Sequence, residues 1–319
     1  MVTDRGQSED DTNSDGGGDV AAHNRFRAHL GEHFRRLDAE RPRTHAEVAA
    51  RIRAVLPAQA DQLVAQMRPG IRFAEDDTGD DTPAIRLGGG ARLPASIDWP
   101  EHEGRPLHFF AEIDLAQVSP FDLTKSLTAT GRLYVFFDGL AGTSADPAPV
   151  KVVAVSDEEI AIPARFRRAH PDDDDFLLPA VFRETHLVSP WTQWTVPDSE
   201  EPCVRELDWY EPYEDDPKRP FWRRAGDLDD SVQSCEFQML GWPGTLQGAN
   251  YIHGTLELAA QRFDDDVSLD PADWRLLLQL ASWDGGFEWA DLVRIYLMIP
   301  AADLVPGRYD RVLAYMETA

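Results

Sequence analysis

Two runs of three β-prone segments, in the same order and at similar spacing, constrain this chain more than any other feature. The first run reads "LHFFAEID", "GRLYVFFD" and "VKVVAVS"; the second reads "LLLQLAS", "DLVRIYLMIP" and "DRVLAYME". Each segment is short and apolar, five of the six carry β-branched or aromatic residues while "LLLQLAS" is leucine-rich, and residues that break strands flank them. Each run also follows a leucine–glycine turn, "RLGGGARLP" before the first and "MLGWPGTLQG" before the second. The pattern predicts strands at Leu107–Leu115, Arg132–Phe137 and Val150–Val155, then at Arg275–Ala281, Val293–Ile299 and Arg308–Met316. Such self-similarity is expected of an internal duplication, here about 83–160 and 235–319. The expected class is mainly β, or α+β: a duplicated antiparallel β unit preceded by N-terminal helices.

Outside the repeats the chain changes character. Residues 1–20, "MVTDRGQSEDDTNSDGGGDV", are acidic and glycine-rich and are expected to be disordered, because they have too little apolar surface to bury. Residues 21–70 carry two helical patterns. Phe26, Leu30, Phe34 and Leu37 line one face of the first. In the second, Thr44 and Glu47 have capping-box spacing ahead of Val48, Ile52, Val55 and Leu56. A further turn through Leu63, Val64 and Met67 is stopped by Pro69-Gly70. The β domain takes 71–319, with irregular chain after Pro179 that includes "HLVSPWTQWTV". An acidic, aromatic-rich surface insertion is expected over about 198–230.

Charge narrows the function classes. With 57 acidic residues against 31 basic ones the chain carries a net charge of -26, which repels nucleic acid and anionic lipid. A basic protein partner suits such a surface. No apolar run approaches the roughly 18 residues of a membrane span, and the N-terminus lacks the apolar core of a signal peptide, so a cytoplasmic location is expected. Cys203 and Cys235 are expected as buried thiols, with pairing between them open. No cofactor motif is present: the glycines of "LGGGARLP" lack the lysine and helix start that a phosphate loop needs, so that stretch reads as a turn. Nothing in the pattern fixes an oligomeric state.

At these residues the sequence resembles the YwqG-like family, a bacterial domain of unknown function. The resemblance rests on Gly88-Gly89, Pro94, Trp99-Pro100, Glu112-Ile113-Asp114-Leu115 and Gly131–Phe137 in the first half. In the second half it rests on Met239–Pro243, Gln247-Gly248, Leu276–Gln279 and Trp289–Tyr296. It covers roughly residues 70–319 and departs from the family pattern where Glu112 stands in place of glutamine and where "WADLVRIY" lacks the usual glycines. The resemblance implies a mainly β architecture and no established reaction. Suspected association of relatives with toxin systems implies an immunity or stress accessory role.

Four groups of residues are candidates for function. Strict alternation places Glu112 and Asp114 on the strand face of His108 and Phe110, opposite Leu107, Phe109, Ala111, Ile113 and Leu115. Paired carboxylates can perform acid–base chemistry, but the second run has Gln279 and Ala281 there, so a structural polar strand end is the stronger expectation. "HLGEH" gives His29, Glu32 and His33 the spacing of inverted zinc peptidases. Gly31 inside it weakens the helix that would hold a metal, leaving a metal-dependent hydrolase as the alternative function. Trp209, Tyr210, Tyr213 and Trp222 stand among carboxylates and prolines, and read either as anchors of a long loop or as contacts for a basic partner. "DTNSDGGGD" opens like a calcium loop, but Ala22 occupies the closing position. The preferred expectation is a non-catalytic binding module.

Overall fold

The computed structural model describes residues 42–76, 82–138, 149–160, 167–168, 184–198, 200–205, 237–249, 270–281, 293–305 and 307–318, with scattered positions between 252 and 268. The chain divides into two units, residues 1–41 and 42–319; the second is described below. The tail, the first helical pattern and the "HLGEH" motif lie outside the described residues.

Helix α1 (His45–Val55) begins as its sequence dictates. The Thr44 hydroxyl accepts the Glu47 N–H (3.3 Å), and the Glu47 carboxylate accepts the Thr44 N–H (2.9 Å). These reciprocal bonds satisfy donors that a helix start otherwise leaves open. Helix α2 (Ala60–Gln66) follows, and both helices bury one face against Val196 and Val204. Pro69-Gly70 does not merely end the helices. It sits inside strand β1 (Arg68–Asp76), which runs through the middle of the sheet.

The remaining strands are β2 (Ile85–Leu87), β3 (Gly90–Ala91), β4 (Glu101–His102), β5 (Arg105–Pro106), β6 (His108–Asp114), β7 (Arg132–Phe137), β8 (Val150–Val155), β9 (Arg167–Arg168), β10 (Thr185–Thr195), β11 (Phe237–Leu240), β12 (Trp274–Ala281), β13 (Val293–Pro300) and β14 (Leu313–Thr318). Ten of them form one antiparallel sheet in the order β14-β13-β12-β11-β1-β10-β2-β6-β7-β8. That order reads the same outward from its centre. β2-β6-β7-β8 on one side matches β11-β12-β13-β14 on the other, with β1 and β10 paired between them. In chain order each half is a five-strand unit, β1-β2-β6-β7-β8 and β10-β11-β12-β13-β14. The first strand of each unit pairs with the second strand of the other, β1 with β11 and β10 with β2. The halves exchange strands.

Side-chain placement follows. All ten strands contribute to one core, from Ile71 and Phe73 through Ile113, Leu133 and Leu187 to Leu280, Ile295 and Ala314. Smaller clusters cover the other face: Leu93, Leu107, Phe109, Tyr134 and Phe136 in one half, and Ile252, Trp274, Leu276, Tyr296 and Met298 in the other. Three sequence expectations need correction. "HLVSPWTQWTV" is not irregular but belongs to β10, eleven residues long, its polar positions satisfied by pairing on both edges. The last strand is Leu313–Thr318, not Arg308–Met316, because Gly307 has φ 68° and the Leu304 and Asp303 carbonyls accept the Gly307 and Arg308 N–H groups in a turn. Strict alternation also fails in β6. A bulge between Phe109 and Ala111 puts Phe110 and Ala111 together in the main core and returns Glu112 to the side of Phe109 and Tyr134. One extra residue in a strand shifts the face of everything beyond it. β12 has the same bulge at the matching place, between Leu276 and Leu278.

Candidate functional site

Strand registers bring polar residues into one row in each half. Arg86 stands beside Glu112 and Glu112 beside Tyr134; in the other half Gln238 stands beside Gln279 and Gln279 beside Tyr296. Next to the tyrosines stand Arg132 and Arg294, two positions earlier on their strands. Glu112 and Gln279 therefore occupy equivalent sites, as do Asp114 and Ala281, which pair with Arg132 and Arg294.

Both rows hold the turn that follows the second strand of their half. Arg86 donates to the carbonyls of Gly88 (3.2 Å) and Gly90 (3.0 Å), two and four residues ahead. Gln238 Nε2 does the same to Leu240 (2.7 Å) and Trp242 (2.8 Å). The Tyr134 hydroxyl donates to the Arg92 carbonyl (3.2 Å), and the Tyr296 hydroxyl lies 3.0 Å from the Gly244 carbonyl oxygen. The turns share their backbone: φ is 61° and 68° at Gly88 and Gly89, and 57° and 74° at Leu240 and Gly241. Glycine suits this left-handed region, and a Cβ at Gly241 would lie 2.7 Å from the Thr195 hydroxyl.

The charges differ between the rows. Glu112, buried at 7% exposure, bridges two arginines: it accepts from Arg86 Nη2 and from Arg132 Nη1, the latter at 2.5 Å. Asp114 does something else. It caps the short helix α3 (Leu115–Val118) by accepting the Ala116 N–H (3.0 Å), with Arg132 3.8 Å away. In the other half the two glutamines are neutral, and the carboxylate has moved to Glu317 on β14, opposite Arg294. Glu317 accepts from the Leu246 N–H (2.6 Å) and lies 2.7 Å from the Tyr296 hydroxyl. Burial raises the Glu317 carboxyl above its usual range against the pull of these donors and Arg294. Burial likewise raises the Tyr134 and Tyr296 phenols.

These side chains are committed to their own backbone. Gln279 accepts the Gly244 N–H (2.8 Å), completing the second turn's attachment. Of the sequence candidates, the structure joins Glu112 and Asp114 through Arg132 and places Gln279 in the opposite row. Trp209, Tyr210, Tyr213 and Trp222, with His29 and His33, fall outside the described residues, as do Cys235 and the calcium-like loop. Cys203 is half-buried beside the α1–α2 cluster. Among the described residues no group of three His, Cys, Asp or Glu is arranged to hold a metal, and no helix is long and apolar enough to cross a membrane. Sequence reasoning missed Arg86, Gln238, Arg132, Tyr134, Arg294 and Tyr296. The signal was available: "RLY" and "RIY" share the pattern Arg-x-Tyr at matching places in the two runs.

Matching half-sheets, exchanged central strands and turns pinned by sheet side chains define a pseudo-symmetric antiparallel β protein. The chain belongs to the DUF1963 family, a domain of unknown function whose pattern matches residues 85–317. No curated protein matches it. The matched span begins after β1, although β1 lies between β10 and β11 in the sheet.

Proposed function

We propose that this chain is a non-catalytic recognition module whose acidic, aromatic 198–230 stretch contacts a basic protein partner. The observation that carries this reading is an asymmetry between otherwise matching halves. Residues 77–84 suffice to join β1 to β2, whereas 196–236 join β10 to β11. The sheet needs only the short connection. Long additions to a rigid scaffold are where binding residues concentrate. This one carries Trp209, Tyr210, Tyr213 and Trp222 among Glu206, Asp208, Glu211, Glu214, Asp215 and Asp216. Carboxylates and aromatic faces both attract guanidinium and ammonium groups, and the net charge of -26 favours encounter with a cation-rich surface. The polar rows favour recognition over chemistry because their side chains are spent on holding turns in place.

The test is titration of the full chain with an arginine- and lysine-rich peptide at low and physiological salt, beside a variant lacking 206–230. Because the other half closes the same connection with eight residues, that deletion is expected to leave the sheet folded. The reading predicts saturable, salt-weakened binding that the deletion abolishes. Equal binding by both forms would refute the assignment of the stretch.

A further inference from the structure

The two halves of this sheet meet as the subunits of a two-fold dimer do. β1 bonds to β10 on one edge and to β11 on the other, both strands of the second half. β10 bonds to β1 and to β2, both strands of the first. Neither of these strands pairs with a strand of its own half. The register carries the comparison to single residues. Arg72 faces Gln238 and His186 faces Arg86; because Gln238 and Arg86 occupy matching places, so do Arg72 and His186. Two residues further along their strands stand Ala74 and Val188, and these equivalent residues face each other. A strand pair in which equivalent residues meet has the self-complementary geometry of an isologous interface. The two-fold axis passes between Ala74 and Val188.

Much of the core depends on this junction. Ile71 and Phe73 of β1 and Leu187 of β10 lie in the main core, and the α1–α2 pair, ahead of β1, buries apolar residues against Val196, which follows β10. The Thr195 hydroxyl donates to the Arg68 carbonyl (2.9 Å), and the Trp242 indole N–H donates to the Gln66 carbonyl (2.7 Å). A half deprived of the other would leave these groups, and a row of strand N–H and C=O groups, without partners. The chain joins the halves once. β9 pairs with β3 and so belongs with the first half, which leaves residues 169–184 as the connection to β10.

We infer that two copies of this chain form a strand-exchanged dimer, residues 42–168 of each closing on residues 185–318 of the other. The ladders and core contacts at the junction are the same whether their two sides come from one chain or from two, so the connection alone distinguishes monomer from dimer. Short linkers give effective concentrations on the order of 1 mM, which sets the protein concentration at which exchange between chains competes with closure within one. Once formed, the dimer is slow to part, because separation opens the β1–β10, β1–β11 and β10–β2 ladders together. The dimer does not depend on what the 198–230 stretch binds.

Refolding the unaltered full chain from urea at about 1 mM and at about 10 µM, followed by size-exclusion chromatography with light scattering, tests the inference. High salt screens the repulsion between chains of net charge -26. A discrete two-chain species is expected, at least tenfold more abundant at the higher concentration, and it should persist on dilution to the lower one. Two cysteine pairs, each in a full chain that also carries Cys203→Ser and Cys235→Ser, report how the strands are exchanged. One is Ala74→Cys with Val188→Cys, the other Leu87→Cys with Thr185→Cys, facing residues in both cases. In the purified dimer both pairs should link chain to chain on non-reducing gels. Monomer alone at both concentrations, read on the unaltered chain, would overturn the inference. So would a dimer whose Leu87–Thr185 pair links only within a chain, because then β1 alone has been exchanged.

Discussion

Replacing the Arg86–Glu112 pair with the Gln–Gln pair that stands at the equivalent place in the other half should cost clearly less than the sum of the two replacements made singly. Both side chains are nearly inaccessible, 5% and 8% exposed. Glu112→Gln alone leaves the Arg86 guanidinium buried with two carbonyls and one longer ion pair, to the partly exposed Glu184 at 3.6 Å. Breaking a buried pair in this way typically costs about 3–5 kcal/mol. Arg86→Gln alone leaves Glu112 with Arg132, which is 30% exposed and only 2.5 Å away, so a smaller loss, at the lower end of that range and about 3 kcal/mol, is expected. In the double variant the amide at 86 can reach the Gly88 and Gly90 carbonyls as Gln238 reaches its own. No buried charge is then left unpaired within the row, while Arg132 turns to Asp114 and water. The coupling between the substitutions should be at least ~2 kcal/mol. Equilibrium urea denaturation of the four proteins measures it, with the slope against urea unchanged if only stability has moved. Additive losses, with coupling below about 0.5 kcal/mol, would refute the equivalence of the two rows.

Three further outcomes follow from single residues or segments. Tyr309 is buried in the main core with a hydroxyl that has no hydrogen-bond partner among the described residues, and burial raises it to about 12. Tyr309→Phe should therefore stabilise by about 1 kcal/mol, while Tyr296→Phe, which removes the hydroxyl lying between the Glu317 carboxylate and the Gly244 carbonyl, should destabilise by about 2 kcal/mol in the same urea titrations. Asp122 accepts from Thr124, Ser126 and Leu127; burial raises it, but these donors outweigh burial and hold it below its ordinary value of 3.8. Its contribution is thus complete above that value and is lost as pH falls through the lower, folded one, so Asp122→Asn should flatten that part of the acid denaturation curve. A fragment beginning at residue 85, the start of the family match, lacks β1 and should show no cooperative unfolding, whereas one beginning at residue 42 should unfold cooperatively by circular dichroism.

Much of the sheet was legible because its strands are individually apolar. Arg132–Phe137 and Val150–Val155 are the observed strands, and the turns before the two runs share positive φ at Gly88-Gly89 and Leu240-Gly241 and matching carbonyl contacts. β1 and β10 were not legible as central strands. Gly70 and Pro69 read as punctuation, and the polar Thr192, Gln193 and Thr195 of β10 hid a strand whose demands are met by its neighbours and by bonds to Phe121, Pro42 and Arg68. Tertiary context overrides local pattern most strongly in such places. The candidate site was half legible. Glu112 and Gln279 stood out because they interrupt apolar runs, but the bulge that turns Glu112 toward Tyr134 leaves no sign in a period-two reading. Its partner Arg86 lies on a three-residue strand, too short to announce itself.

Hydrogen–deuterium exchange of the full chain, with and without the arginine- and lysine-rich peptide, tests the functional account most directly. The account predicts new protection concentrated in residues 198–230, with the sheet strands unchanged. Protection confined to other segments, or none at saturating peptide, would contradict it.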